Sequence, residues 1–306
     1  MSFSTRIRLL TYASARSLEP KLSTGVRFLV IILLLCLSAL PAIGYPISIK
    51  DARGKIVIIK SAPRRIISLA PSNTEILFAL GLDDRIVGVT TYCDYPPQAK
   101  KKPKIGDRIV NVEKVISLKP DLILAHGRVN DAYISQFEAL GKTIIAIDPK
   151  TYEQTMSDIR MIGRVTGRSS KASVIVKKMQ SVADRVRRAP ARKTKPKVLM
   201  VIQPSPLWAA GPNTFVDEMV RYAHGSNIAY DSRPGFNQFP VERAISRNPD
   251  IIIVGKDQKE FFLTSPVWRG ARAVKEKRVY EMDHNLLVRP GPRLADGLLK
   301  LAGLLR

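Results

Sequence analysis

Short apolar runs recur along the chain, bounded by Pro, Gly or Asp and separated by segments of helical character. Arg65–Ala70, Ile86–Val89, Leu122–Ala125, Thr143–Ile147, Val198–Ile202 and Ile251–Val254 are such runs. They lack the polar alternation of a half-exposed strand, so they predict strands covered on both faces. Pro71-Ser72-Asn73-Thr74 supplies helix-start residues before Glu75–Leu80, which Gly81 closes, and further helices are expected near Val216–Tyr222 and after Arg293. A last short strand is expected near Val279–Tyr280. Strands alternating with helices predict parallel, doubly covered sheets.

The spacing Thr151-x-x-Gln154 matches a capping box and opens a helical region that pauses at Gly167. From Lys171 to Arg188, Ala172, Ile175, Met179, Val182 and Val186 fall on one helical face, while Lys177, Lys178, Arg185 and Arg187 fall elsewhere. At about 1.5 Å per residue this helix reaches roughly 27 Å, enough to bridge two lobes.

One fifteen-residue stretch is written twice. Asn111–Ala125 returns as Pro240–Val254, with Val, Glu, Ile, Ser, Pro and Asp identical. Each copy reads as a short helix, a Pro-Asp turn and a four-residue strand, which is half of a βαβ unit. The period is too long for a solenoid, so the doubling points to two packed lobes with a cleft between them. The expected architecture is α/β: two similar lobes, each with a mostly parallel sheet, joined by one long inter-lobe helix. The lobes are expected at 45–150 and 191–306, with the helical linker at 151–190.

Residues 1–44 read as a signal peptide. Arg6, Arg8, Lys21 and Arg27 precede an apolar run from Phe28 to Leu40, and Ala42-Ile43-Gly44 offers the small-x-small pattern of a cleavage site. The run falls short of the roughly 20 residues of a spanning helix, so export to the periplasm is favoured over a tethering leader. Cys36 follows Leu35 where a lipoprotein signal wants a small residue, and Cys93 is then left as a lone thiol with no internal partner. The chain carries 50 Lys and Arg against 26 Asp and Glu, a net charge of +24. No nucleic-acid recognition motif accompanies that charge; attraction to an anionic membrane surface, or adaptation of the whole proteome to its habitat, explains it at least as well, and no nucleic-acid partner is expected.

Catalytic signatures are missing: the sequence has no G-x-S-x-G, H-E-x-x-H, C-x-x-C or G-x-G-x-x-G. In open parallel sheets, ligands lie outside the carboxyl ends of the strands. That rule gathers Ser72, Asn73, Tyr92, Asp107, His126 and Arg128 from one lobe. From the other it gathers Gln203, Trp208, Phe236, Asn285 and Arg289, with Trp208 placed in a loop by the surrounding prolines and glycine. Aromatic and polar groups with cations at hand suit a large planar or anionic ligand. Glu113 and Glu242 occupy the first turns of the repeated helices, where the helix dipole favours a carboxylate. Two acids at matched places also suit joint engagement of a symmetric partner.

Pro63–Glu75, the Tyr92–Pro97 loop, Lys104–Asp107, Leu118–Leu122 and Arg289–Arg293 resemble the helical-backbone substrate-binding proteins of ABC importers for iron chelates and vitamin B12. The Tyr-x-Asp-Tyr-Pro-Pro loop is most similar to the vitamin B12-binding branch. The resemblance implies a monomeric, non-enzymatic receptor with no cofactor of its own, whose cargo is cobalamin or another metal chelate, and whose partners are an inner-membrane permease and its ATPase. It also implies docking through Glu113 and Glu242, aromatic contacts from Tyr92, Trp208 and Phe236, and a polar contact from Arg289. Asp107 and His126 stand where the B12 binder has tryptophans, and Asn285 where it has an aspartate. Haem or a ferric siderophore therefore stays open, with His126 as an iron ligand. The rival readings are an exported chelate-processing enzyme using Asp94, His126 and His284, and a receptor that docks on a membrane sensor.

Overall fold

A computed structural model describes residues 44–190 and 193–306; residues 1–43 of the expected leader, Cys36 among them, lie outside. Residues Tyr45–Arg306 form one compact unit. It opens with an antiparallel hairpin, β1 (Ile47–Lys50) and β2 (Ile56–Ile59). A first α/β layer follows in the order β3 (Ile66–Ser68), α1 (Pro71–Ala79), β4 (Ile86–Val89), α2 (Val112–Ser117), β5 (Leu122–His126), α3 (Asp131–Ala139) and β6 (Ile144–Ile147). Two consecutive helices, α4 (Tyr152–Val165) and α5 (Ser169–Arg188), lead to the second layer. That layer holds β7 (Lys197–Gln203), β8 (Trp208–Ala210), α6 (Phe215–Tyr222), β9 (Ser226–Asn227), β10 (Phe236–Gln238), α7 (Val241–Ser246), β11 (Ile251–Val254), α8 (Lys259–Thr264), α9 (Arg272–Lys275), β12 (Val279–Glu281), α10 (Asn285–Val288) and α11 (Leu294–Leu305).

The first sheet is parallel throughout, in the order β4-β3-β5-β6. The second repeats that order in its parallel part, β9-β7-β11-β12, and adds β8 and β10 antiparallel beyond β7. The pleat sends alternate residues to opposite sides. Ile66, Leu122, Leu124 and Ile145 from the first sheet, and Val198, Met200, Ile251 and Ile253 from the second, join one core shared with α4, α5 and α11. Ile67, Ile123, Ala125 and Ile144 face a separate cluster on the first lobe's other side, and Leu199, Val201, Ile252 and Val254 do the same in the second.

The repeated segment folds alike in both lobes. Its helices span Val112–Ser117 and Val241–Ser246, and the residues past their C-caps, Lys119 and Asn248, take left-handed φ of 47° and 48°. The Pro-Asp turn then braces the neighbouring strand. Asp121 accepts the Arg64 and Arg65 N–H groups at 2.7 and 3.0 Å, and Asp250 accepts the Lys197 N–H at 2.8 Å. The same basic residues donate back to the helix ends: the Arg65 guanidinium to the Leu118 carbonyl at 2.7 Å and the Lys197 ammonium to that of Arg247 at 3.3 Å. Helix-end carbonyls need such partners.

The bridging helix buries Ala172, Val176, Met179, Val182 and Val186 and leaves Lys177, Lys178, Arg185 and Arg187 exposed. Its 20 residues span about 30 Å. It starts two residues before the expected boundary, because Gly167, at φ 72°, ends α4 and the chain turns directly into the next helix. Thr151 caps α4 as expected, its hydroxyl accepting the Gln154 N–H at 3.0 Å, while the Gln154 side-chain Oε1 accepts the Lys150 N–H at 2.7 Å.

Two sequence expectations need correction, and one element was not expected. The stretch before Arg65, for which the apolar runs predict no strand, is a hairpin burying Ile47, Ile49, Val57 and Ile59. Trp208 opens strand β8 instead of lying in a loop, because its backbone pairs with Gln203 and Gln238. Ser72, Asn73 and Thr74 do not cap α1; the helix begins at Pro71, and all three are buried within it.

Candidate functional site

Where β5, β6 and β7 end, the chain encloses a cavity of about 460 Å³. The first lobe contributes His126, the last residue of β5, with Arg128 beyond it and Asp148-Pro149-Lys150 directly after β6. The second lobe contributes Ile202, Phe215, Phe236 and His284, and the segment from Val288 to Pro290 lines the same space. The position agrees with the rule that ligands gather at the carboxyl ends of parallel strands.

The two walls differ in chemistry. On the first-lobe side, Asp148 is shared among Arg128 at 3.2 Å, Lys150, and His126 Nε2 at 3.9 Å. Burial pushes the His126 pKa down, with Asp148 pulling the other way and failing to restore it. The imidazole is thus neutral at neutral pH, and its buried Nδ1 has no hydrogen-bond partner among the described residues. Asp158, on α4, has its pKa raised to about 7 by burial and by the nearby Asp148 charge. On the second-lobe side, Phe215 and Phe236 meet edge to face with centroids 5.9 Å apart. His284 Nε2 lies 2.8 Å from the Val201 carbonyl. Since a carbonyl accepts, Nε2 carries a proton.

His126, Arg128 and Phe236 are thus brought to one cavity, as the strand-end rule expects. Other candidates sit elsewhere among the described residues. Ser72 and Asn73 are buried in the first turn of α1, and neither amide atom of Asn73 has a partner among the described residues. Tyr92 is 49% exposed and Trp208 38%. Asp107 is exposed and accepts the Ile109 N–H at 2.8 Å, and Asn285 opens α10. Arg289 is engaged by protein carboxylates: it donates to Glu75 at 3.2 Å and Asp94 at 2.5 Å.

Glu75, only 2% exposed at its side chain, also accepts two bonds from Arg293, at 2.6 and 2.8 Å. The Arg293 guanidinium stacks 3.8 Å from the centre of the Tyr95 ring. Burial disfavours the ionised Asp94, but Arg289 outweighs it and holds the Asp94 pKa below the ordinary carboxylate value. These contacts tie α1 and the Tyr92–Pro97 loop to the segment that starts the last helix.

Residues missed from sequence include Asp148, Lys150 and Phe215. Asp148 follows an apolar strand as directly as His126 ends one, so the same rule would have found it. Phe215 carries no such signal, since it depends on the β8–β10 pairing that sets Phe236 beside it.

Glu113 and Glu242 are both exposed in the first turns of the matched helices α2 and α7. Neither carboxylate forms an ion pair or hydrogen bond with any described residue, so the brace made by the repeat does not use them. Among the described residues no helix is long and apolar enough to cross a membrane.

A family model described as periplasmic binding protein matches residues 66–286. An uncharacterized ABC transporter substrate-binding lipoprotein of Bacillus subtilis (strain 168) is 39% identical over 84% of this chain and 85% of its own. Among solved structures, the periplasmic vitamin B12 binding protein of Vibrio cholerae superposes with a TM-score of 0.71 at 26% identity, covering 79% of this chain and 96% of that one. The periplasmic heme-binding protein of Roseiflexus sp. RS-1 gives a TM-score of 0.70 at 27% identity, over 80% and 98%.

Proposed function

The chain belongs to the periplasmic binding protein family, and from that premise we propose that it captures cobalamin or a related metal chelate between its lobes and delivers it to a membrane permease driven by a separate ATPase. It is a binding protein of an ABC transporter, not an enzyme. The observation that carries the ligand reading is the asymmetric cavity at the strand ends, with His126 and cations on one wall and Phe215 and Phe236 on the other. A volume of about 460 Å³ suits a small-molecule ligand. A planar chelate would lay its face on the aromatic wall and turn its anionic edge to Arg128 and Lys150.

One feature favours haem as a second reading. The neutral His126 imidazole with an unpartnered Nδ1 is the form that ligates a metal, and an open axial position on a chelated iron would accept it. Export to the periplasm completes the proposal, with Glu113 and Glu242 as the contacts to the permease.

Titrating the purified protein with cyanocobalamin, haem and a ferric siderophore, and following absorbance, separates the readings. Haem ligated by His126 gives a Soret shift that His126→Ala removes; cobalamin binds without that dependence; silence toward all three sinks the chelate reading. For docking, the Glu113→Ala/Glu242→Ala double variant should lose uptake while its chelate affinity stays within about twofold of the parent, because exposed, unpaired carboxylates contribute little to the fold. Undiminished uptake would remove the docking assignment.

A further inference from the structure

The matched acids stand in unmatched surroundings. Beside Glu242 runs a groove of about 690 Å³, lined by Pro206, Phe239, Phe261, Val267 and Trp268 among others. Its floor is preformed: Trp268 is buried and packs on Phe262 with ring centroids 4.9 Å apart. Its rim is open, with Phe261 39% and Val267 57% exposed. Among the described residues, Glu242 is the one charged side chain lining it. In a chain of net charge +24, an apolar groove whose single charge is negative and unpaired selects against anionic occupants. It suits a cation carried on an apolar segment. Glu113 and Glu242 each precede an exposed cation, Lys114 and Arg243, so the groove is what distinguishes their surroundings.

We infer that the groove beside Glu242 seats an extracytoplasmic segment of the permease in which an arginine or lysine is flanked by apolar side chains, so that the second lobe supplies most of the docking affinity. The inference rests on the docking reading above and adds the partner's chemistry at one of its two points. A desolvated apolar contact around a charge pair is the arrangement that concentrates binding energy, since the apolar surround keeps water from the ion pair.

The test reconstitutes the host's permease–ATPase complex in phosphatidylethanolamine/phosphatidylglycerol vesicles and measures binding of the purified chain, with permease-free vesicles of the same lipids as control. Phe261→Arg and Val267→Arg should each weaken binding by roughly tenfold or more, whereas Val267→Asp, which adds charge of the complementary sign, should weaken it much less. Both positions are exposed, and unchanged chelate affinity in each variant verifies folding. Equal losses for Val267→Arg and Val267→Asp, or no loss for either arginine variant, overturn the inference. Equal binding to permease-free vesicles overturns it in favour of lipid. If the Glu113→Ala/Glu242→Ala variant binds normally, the docking reading itself fails. If that variant loses binding while the arginine variants keep it, only the groove falls.

Discussion

The first and second lobes share a strand order, a helix–Pro-Asp–strand unit and the brace in which an aspartate holds the start of the adjacent strand. They differ at the strand ends. The first lobe presents His126, Arg128, Asp148 and Lys150, and the second presents aromatic rings positioned by an antiparallel pair that the first sheet lacks. The shared features are those that close backbone hydrogen bonds, and the divergent ones are those that line the cavity. A duplicated scaffold therefore fixes where a pocket forms and leaves its chemistry free.

Removing one tie between the lobes tests that view most severely. Glu75 is buried between two guanidiniums, so Glu75→Gln should lower unfolding free energy by about 3–5 kcal/mol, the usual cost of breaking a buried ion pair from one side. Chemical denaturation reads it; a loss below about 1 kcal/mol would mean the arginines find other partners.

The brace offers a milder comparison. Asp121→Ala and Asp250→Ala should each cost about 1–2 kcal/mol, because each leaves strand N–H groups without a protein acceptor. Widely unequal losses would show that the two copies no longer carry the same load.

The smallest effect is read by pH, at a carboxyl on α4 that feels the Asp148 charge. Asp158 holds its proton more tightly folded than unfolded, with a folded pKa of about 7. Its contribution is therefore present in acid, below the unfolded carboxylate value, and is lost as pH rises through about 7. Stability should fall by about 1 kcal/mol between about pH 6 and 8, and Asp158→Asn should flatten that slope. An unchanged slope would assign the pH dependence to another group.

Much of the scaffold was legible because its signals are local. Ile86–Val89 and Ile251–Val254 are strands at the expected bounds, since an unbroken apolar run of four between breakers leaves little else to form. Trp208 was misread because Pro204, Pro206, Gly211 and Pro212 crowd around it, while the strand it opens exists only through Phe236–Gln238, far along the chain. Arg289 looked available for a ligand because nothing near it in sequence reveals Glu75, 214 positions away. The wall chemistry fared in between. His126 was visible from the strand it ends, but its unpartnered Nδ1 and depressed pKa arise from burial that only the packed lobes produce.

The last helix, Leu294–Leu305, inserts Leu294, Leu298, Leu301 and Leu305 into the core common to both layers. A side chain there answers to both sheets at once, so trimming Leu298 to alanine would leave a void felt by each lobe instead of a local defect in one.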